Sequence, residues 1–256
     1  MGQHFLHDAR IARSIVAALP GEPARVVEIG PGHGALTQLL LARYPRVRAI
    51  ELDGALARAL PGRLGYPAGL EVVAADVLEV DLDELTPGGP WLWAGNLPYS
   101  VATPIVRRLA DRPELVAAAV LMVQLEVAQR MCAGPGHAER GFLSVVIESA
   151  VHAELLLEVP AGCFSPPPRV ISAVVLLTPR PPVAPRAAVE RARELAAIAF
   201  TKRRKKLVNA IPLELPHGEI VARVTALGLD PGARPQDLSF AGWLALGQAF
   251  PAGERI

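Results

Sequence analysis

Three groups of residues in this chain have side chains and spacing suited to holding a reacting molecule. The first is Ala94-Gly95-Asn96-Leu97-Pro98-Tyr99-Ser100, which follows the apolar run Trp91-Leu92-Trp93. It presents an amide, a main-chain carbonyl ahead of a stiffening proline, and a flat ring. The second is Glu28-Ile29-Gly30-Pro31-Gly32-His33-Gly34, a glycine turn that lets a ligand approach the backbone with a helix N-terminus behind it. The third is a pair of acids, Glu51 and Asp76, each closing an apolar run. Glu51 stands 21 residues after Gly30, near the ~20 at which an acid meets ribose hydroxyls in nucleotide-binding folds. Asp76, after Val72-Val73-Ala74-Ala75, is placed to receive an adenine amino group. Either acid alone also reads as a helix cap or a loop residue. In register with the glycine turn, the two point to an adenosine-bearing cofactor. The turn itself leaves nicotinamide cofactors open, because Ala35 stands where dinucleotide sites carry their third glycine or an alanine.

If the cofactor is S-adenosylmethionine, its sulfonium methyl would face the Asn96 stretch. The Asn96 side-chain oxygen and the Leu97 carbonyl are acceptors matched to an amine with two N–H donors, Pro98 stiffens the turn, and Tyr99 offers a stacking face. An exocyclic purine amine fits all of these. The adenine N6 lone pair is delocalised into the ring and is a poor nucleophile. Accepting both N–H bonds out of the ring plane localises that pair and stabilises the charge that develops on nitrogen. Holding the amine in line with the methyl supplies the rest, and no strong base is required. A base inside a duplex cannot be presented this way, so it must be flipped out or unpaired. Stacking on Tyr99 is worth roughly 1–3 kcal/mol. Phe164, in Phe164-Ser165-Pro166-Pro167-Pro168-Arg169-Val170, is a second aromatic that an extended proline segment could fix on the other face of the base. A core phenylalanine beside a polyproline loop is the plainer reading of that segment taken alone.

These residues need strands and helices to bring them together. Arg25–Ile29, Val47–Leu52, Leu70–Ala75, Trp91–Ala94 and Ala118–Val123 read as strands. They alternate with helices at Leu36–Arg43, Ala55–Leu64 (interrupted near Pro61), Thr103–Ala110 and Glu126–Cys132. Leu143–Val151 reads as a helix, with Leu155–Val159 and Val170–Leu177 as a closing pair of strands. Such alternation predicts an α/β, doubly wound sheet with helices on both faces, which binds ligands beyond the carboxyl ends of its strands where the strand order reverses. Residues 180–185, rich in proline, read as a stiff linker. Beyond them helices are expected at Ala187–Ile211, Gly218–Leu227 and Phe240–Phe250. The expected division is therefore 1–179, a linker at 180–185, and a small all-α domain at 186–256.

The 256 residues, 51% hydrophobic and 20% charged, describe a globular chain rather than a disordered one. The longest apolar run falls far short of the ~18 residues of a membrane span, and no signal peptide or myristoylation signal is readable at the start. Two cysteines and scattered histidines make neither a disulfide framework nor a metal site. A soluble intracellular protein without a structural metal is expected. The net charge of +1 conceals an imbalance. Residues 180–256 carry 12 Lys/Arg against 7 Asp/Glu, whereas residues 1–179 carry 14 against 18. A basic end on an acidic main domain suggests a polyanionic partner.

Gly2-Gln3-His4-Phe5-Leu6, Glu28 to Thr37, Glu51-Leu52-Asp53, Gly95 to Tyr99, Phe164 to Ser172, and the tail Phe200-Thr201-Lys202-Arg203-Arg204-Lys205-Lys206-Leu207 with Asn209 together resemble the bacterial small-subunit ribosomal RNA adenine-N6 dimethyltransferases. The resemblance is in order and nearly full length. It implies a Rossmann-like class I methyltransferase sheet, with transfer of four methyls from S-adenosyl-L-methionine to two adjacent adenosines near the 3′ end of 16S rRNA. The product is S-adenosyl-L-homocysteine, and the reaction takes place during small-subunit assembly. It implies a cofactor site made by His4, Leu6, Glu28, Gly30, Gly32, Glu51, Asp76, Val77 and Asn96, with Asn96, Leu97, Pro98, Tyr99 and Phe164 at the reacting base. The family often has Asn where this chain has His4. The resemblance also implies that Lys202, Arg203, Arg204, Lys205 and Lys206, expected on a helix, contact rRNA phosphates. The expected partner is 16S rRNA in an immature 30S subunit, met by a monomeric cytoplasmic protein with no membrane contact. The competing readings are a large-subunit rRNA adenine methyltransferase of the antibiotic-resistance type, a non-catalytic nucleic-acid-binding relative, and a nicotinamide-dependent oxidoreductase.

Overall fold

The computed structural model describes residues 4–211 and 215–251; Gly2 and Gln3 of the first motif lie outside them. The chain divides into two compact units, residues 1–128 with 151–180, and residues 129–150 with 181–256.

The first unit begins with β1 (Phe5–Leu6) and α1 (Ala9–Ala18). Alternation follows, with β2 (Arg25–Ile29), α2 (Ala35–Arg43), β3 (Arg46–Glu51), α3 (Gly54–Arg63), β4 (Leu70–Ala74), the short α4 (Leu82–Leu85), β5 (Trp91–Asn96), α5 (Ala102–Asp111) and β6 (Val116–Gln124). The chain leaves this unit within α6 (Leu125–Cys132) and passes through α7 (Phe142–Glu148). It returns for β7 (Val151–Val159), β8 (Phe164–Ser165) and β9 (Ser172–Pro179). Seven strands form one sheet in the order β4-β3-β2-β5-β6-β9-β7, and β1 pairs with β8 in a separate two-stranded ribbon. β4 through β6 run parallel, while β9 is antiparallel to both of its neighbours.

Burial explains the strands. β5 and β6 are almost continuously buried apolar runs, as parallel strands covered on both faces must be. The edge strand β7 is largely half-exposed. From β2 the chain winds outward through β3 and β4, then crosses back to β5 and β6. A crevice therefore opens beyond the carboxyl ends of β2 and β5. At that point Ile29 pairs with Gly95, and a Cβ on Gly95 would lie 2.7 Å from the Ile29 carbonyl oxygen. Only glycine lets the two strands meet so closely.

The second unit adds α8 (Arg186–Thr201), α9 (Leu207–Ala210), α10 (His217–Ala226) and α11 (Phe240–Ala249). Ala192, Leu195, Ala196 and Ala199 of α8 recur at helical spacing and pack with Val145, Leu207, Trp243 and Phe250. Val145 belongs to α7, so residues 129–150 join the helical unit, contrary to the expected division at 179. The tie is reinforced by the fully buried Arg140. Its guanidinium donates to the Ala133 and Leu238 carbonyls and to the Glu148 carboxylate, which also accepts the Phe240 N–H.

Three further differences have local causes. The expected helix 187–211 is two helices, α8 and α9, separated by turn residues 202–206. The expected helix Leu143–Val151 ends at Glu148, and Val151 opens β7. α3 runs on through Pro61 to Arg63, because a proline this near the helix end forfeits only one hydrogen bond.

Candidate functional site

The glycine turn leaves β2 at Gly30, whose φ of +65° suits glycine and whose N–H donates to the Ile50 carbonyl of β3 at 2.9 Å. Glu51, the last residue of β3, is nearly buried and fastens this turn to the next. Its Oε2 accepts the Gly32 N–H at 3.1 Å and its Oε1 accepts the Asp53 N–H at 3.0 Å. Each carboxylate oxygen keeps a further lone pair, so the group is both fixed in place and able to accept hydroxyls from a ligand.

Glu28 sits one strand position before the turn and is fully buried. Burial pushes its carboxyl up to about 8; the polar groups of the neighbouring Thr37 oppose this, and the Glu51 charge adds a lesser push upward. Oε2 of Glu28 and the Thr37 hydroxyl are buried without hydrogen-bond partners, including each other. An orphaned carboxyl next to a second acid is a place for a ligand's polar hydrogen or, with release of the Glu28 proton, for a cationic group. The folded chain holds this proton up to about pH 8, whereas the unfolded chain releases it near 4.5. Between those values the folded state binds more protons, so stability is full below the lower value and falls as pH rises through the upper one. Glu28→Gln is expected to remove this fall. In urea titrations without cofactor from about pH 5 to about pH 8.5, the variant should gain on the parent as pH rises. Parallel pH slopes would show that Glu28 is already ionised in the folded chain.

β5 delivers Asn96 to the mouth of the crevice. Its Nδ2 donates to the His4 carbonyl at 3.0 Å, leaving Oδ1 as the side-chain atom open to a ligand. Leu97 is buried, and its N–H donates to the Met122 carbonyl of β6 at 3.0 Å. The Tyr99 hydroxyl lies 2.6 Å from the Ser172 hydroxyl. The His4 ring lies 5.7 Å from that of Tyr99, tilted by 31°, and His4 Nδ1 is 2.7 Å from the Pro166 carbonyl. The pairing of β1 with β8, Phe5 opposite Ser165 and Leu6 opposite Phe164, brings the start of the chain to the proline segment.

His4, Gly30, Gly32, Glu51, Asn96, Leu97, Pro98 and Tyr99 line one cleft together with Phe5. Leu6 and Glu28 line an adjoining one that shares Gly30, Gly32 and Asn96. Asp76 and Val77 follow β4 and line neither cleft; Asp76 Oδ1 accepts the Leu78 N–H at 2.8 Å. Phe164 departs from expectation. At 2% exposure it packs in the apolar core with Leu6 and Ile15 and offers no open face to a base, because its strand neighbour Leu6 covers the same core. Lys202 to Lys206 depart as well, forming a turn rather than a helix, with Lys205 N–H bonded to the Lys202 carbonyl. Leu207 and Val208 must turn inward to the helical core, and a straight helix through five cations would carry them past it. Arg203 is engaged with the Ala138 carbonyl. Sequence reasoning assigned no role to Phe5, whose ring stands 4.3 Å from that of His33 at the turn, or to Ser172; the apolar Phe5 between two assigned residues was the one available signal.

A family model for ribosomal RNA adenine dimethylases matches residues 1–250. The chain belongs to this family. Among dimethylase relatives, the ribosomal RNA small subunit methyltransferase A of Synechococcus sp. is 40% identical over 96% of this chain and 90% of its own length. The protein of the same name from Acinetobacter baylyi is 40% identical over 96% and 89%. Two solved structures share the fold across both units. A dimethyladenosine transferase from Plasmodium falciparum superposes with a TM-score of 0.80 at 24% identity, covering 96% of this chain and 97% of its own. The 23S rRNA methyltransferase ErmE superposes with a TM-score of 0.74 at 28% identity, covering 96% and 98%. The sheet of this dimethylase is that of a class I methyltransferase, followed by C-terminal helices. No helix among its described residues is long and apolar enough to cross a membrane.

Proposed function

We propose that this chain transfers methyl groups from S-adenosylmethionine to the N6 amines of two adjacent adenosines near the 3′ end of 16S rRNA, in an immature small subunit. The observation that carries this reading is the meeting of Asn96, Leu97, Pro98 and Tyr99 with Gly30, Gly32 and Glu51 in one cleft. The residues present fit the cofactor: the orphaned Glu28 oxygen answers a cationic group, and Gly30 leaves open the space a Cβ would take. Glu51 would hold the ribose hydroxyls and Asp76 with Val77 the adenine end. His4, Leu6, Glu28, Gly30 and Gly32 would line the remainder. When bound, S-adenosylmethionine supplies an electrophilic methyl and departs as S-adenosylhomocysteine.

The chain's own part is acceptance and alignment. Asn96 Oδ1 and the Leu97 carbonyl take the two N6–H bonds of the flipped base and localise the lone pair on nitrogen. Tyr99 stacks on the ring and holds the amine in line, Pro98 keeps the turn rigid, and Phe164 supports the proline segment from within the core. The surplus proton of the methylated amine passes to water. The protein works as a monomer in the cytoplasm.

The test is methyl transfer from labelled cofactor onto unmethylated 30S particles, with the modified nucleotides mapped. Label on two adjacent adenosines of 16S rRNA is expected. Label confined to 23S rRNA would establish the large-subunit reading instead, and tight binding without transfer would make this a non-catalytic binder.

The turn from Lys202 to Lys206 would meet rRNA phosphates. Replacing Lys202, Arg204, Lys205 and Lys206 together by alanine should reduce the salt slope of rRNA binding by about 3 units. Arg203→Ala should change it less, since Arg203 already serves the Ala138 carbonyl. An unchanged slope in the fourfold variant would move the RNA surface elsewhere.

A further inference from the structure

We infer that Ser172 is a positioning residue for the methyl-transfer step, acting through Tyr99; this rests on the function proposed above. Ser172 is the first residue of β9 and is 0% exposed. It pairs with Gln124 of β6 on one side and Val159 of β7 on the other, so its backbone is held from both edges. The residues that follow it, Ala173, Val174 and Val175, are all buried and apolar. The ladder and the core therefore have no use for a hydroxyl at this place; alanine would satisfy both. The hydroxyl has a partner nonetheless, the Tyr99 phenol at 2.6 Å.

Tyr99 needs that partner more than Ser172 does. It stands on a turn, two residues before the helix cap, and is only half-buried. A tyrosine attached by its Cα alone can swing its ring through the cleft. Pinned at the phenol as well, its long axis is fixed at both ends and only rotation about that axis remains. The His4 ring, 5.7 Å away, limits that rotation. The ring face on which the base would stack is thus set by a strand far from Tyr99 in sequence. Stacking geometry in turn decides where N6 falls relative to Asn96 Oδ1 and the Leu97 carbonyl, and small misplacements are costly in a reaction that depends on alignment. Removing the hydroxyl from either partner should spare the cofactor site, which neither Ser172 nor the Tyr99 phenol fastens.

The experiment compares Ser172→Ala, Tyr99→Phe and the double variant with the parent chain, on unmethylated 30S particles at saturating cofactor. Each single variant is expected to lower kcat about tenfold, the worth of one hydrogen bond, with cofactor affinity unchanged. The double variant should be no slower than either single one, because both remove the same bond. Losses that multiply in the double variant, or Ser172→Ala at the parent's kcat, would overturn the proposal. Tyr99→Phe keeps the ring and changes a half-exposed turn residue, so it reports even if Ser172→Ala folds poorly; parental kcat in that variant overturns the role of Ser172 alone. Absence of transfer by the parent chain would sink the proposed function, and the role of Ser172 with it.

Discussion

Asn96→Ala is expected to slow methyl transfer about a thousandfold while leaving affinity for S-adenosylmethionine within about tenfold. The asymmetry follows from how the side chain is used. Its Nδ2 is spent on the His4 carbonyl at 3.0 Å, a bond that orients the amide and can be replaced by water at modest cost. On the proposed function its Oδ1 would face the reaction and accept one N–H of an amine that becomes positively charged as the methyl arrives. Acceptors placed where charge develops count far more in the transition state than in the ground state. The Leu97 carbonyl remains in the variant but accepts only one of the two bonds, which leaves the nitrogen pair largely delocalised. Single-turnover transfer and calorimetric cofactor binding measure the two quantities separately. Equal losses in both would make Asn96 a cofactor ligand first and a catalytic residue second.

Glu51→Ala should show the opposite pattern. Affinity for S-adenosylmethionine is expected to fall about a hundredfold, ~2.7 kcal/mol, with kcat at saturating cofactor close to that of the parent. Two effects combine. The carboxylate would no longer receive the ribose hydroxyls, each a charge-assisted bond, and the Gly32 and Asp53 N–H groups would lose the acceptor that now joins them at 3.1 and 3.0 Å. Glu51→Gln separates these contributions, because its amide can accept from one of the two N–H groups but presents a donor to the other. An intermediate affinity is expected. Unchanged affinity with a reduced kcat would place Glu51 at the reacting base instead of the cofactor.

The parts of this site that were legible in the sequence are those whose signal is local. Gly30, Glu51 and Asp76 each end an apolar run, and the strand that carries each was readable to within one residue. Asn96 to Tyr99 stood out because few strand ends need an amide, a proline and an aromatic together. What escaped depends on partners distant in the chain. β1 is two residues long and exists through its pairing with β8, so no periodicity could announce it. α1 was legible in principle, from Asp8 accepting the Arg10 N–H at its start and from Ile15, Val16 and Leu19 on a buried face. Phe164 has the aromatic character of a base-stacking residue, but the core behind β8 takes it. The turn at Lys202 to Lys206 shows the converse: lysine and arginine favour helix locally, and the demand of Leu207 and Val208 for burial prevails.

The place of β9 in the sheet has a consequence for the order in which the protein can be made. β9 lies between β6 and β7 yet is the last strand of the sheet to leave the ribosome. A nascent chain that has emerged only as far as Val159 carries β6 and β7 with no strand between them, and β6 is one of the most apolar segments of the molecule. Unpaired edges of that kind invite pairing with other chains. Emergence of Ser172–Pro179 closes both edges at once and, in the same event, brings the Ser172 hydroxyl to Tyr99. A premature stop just before Ser172 would therefore leave a gap between β6 and the edge strand β7, where a stop after Pro179 would leave the sheet whole. Synthesis of eight residues separates a chain prone to stick to its neighbours from one whose sheet is closed and whose Tyr99 hydroxyl has its partner.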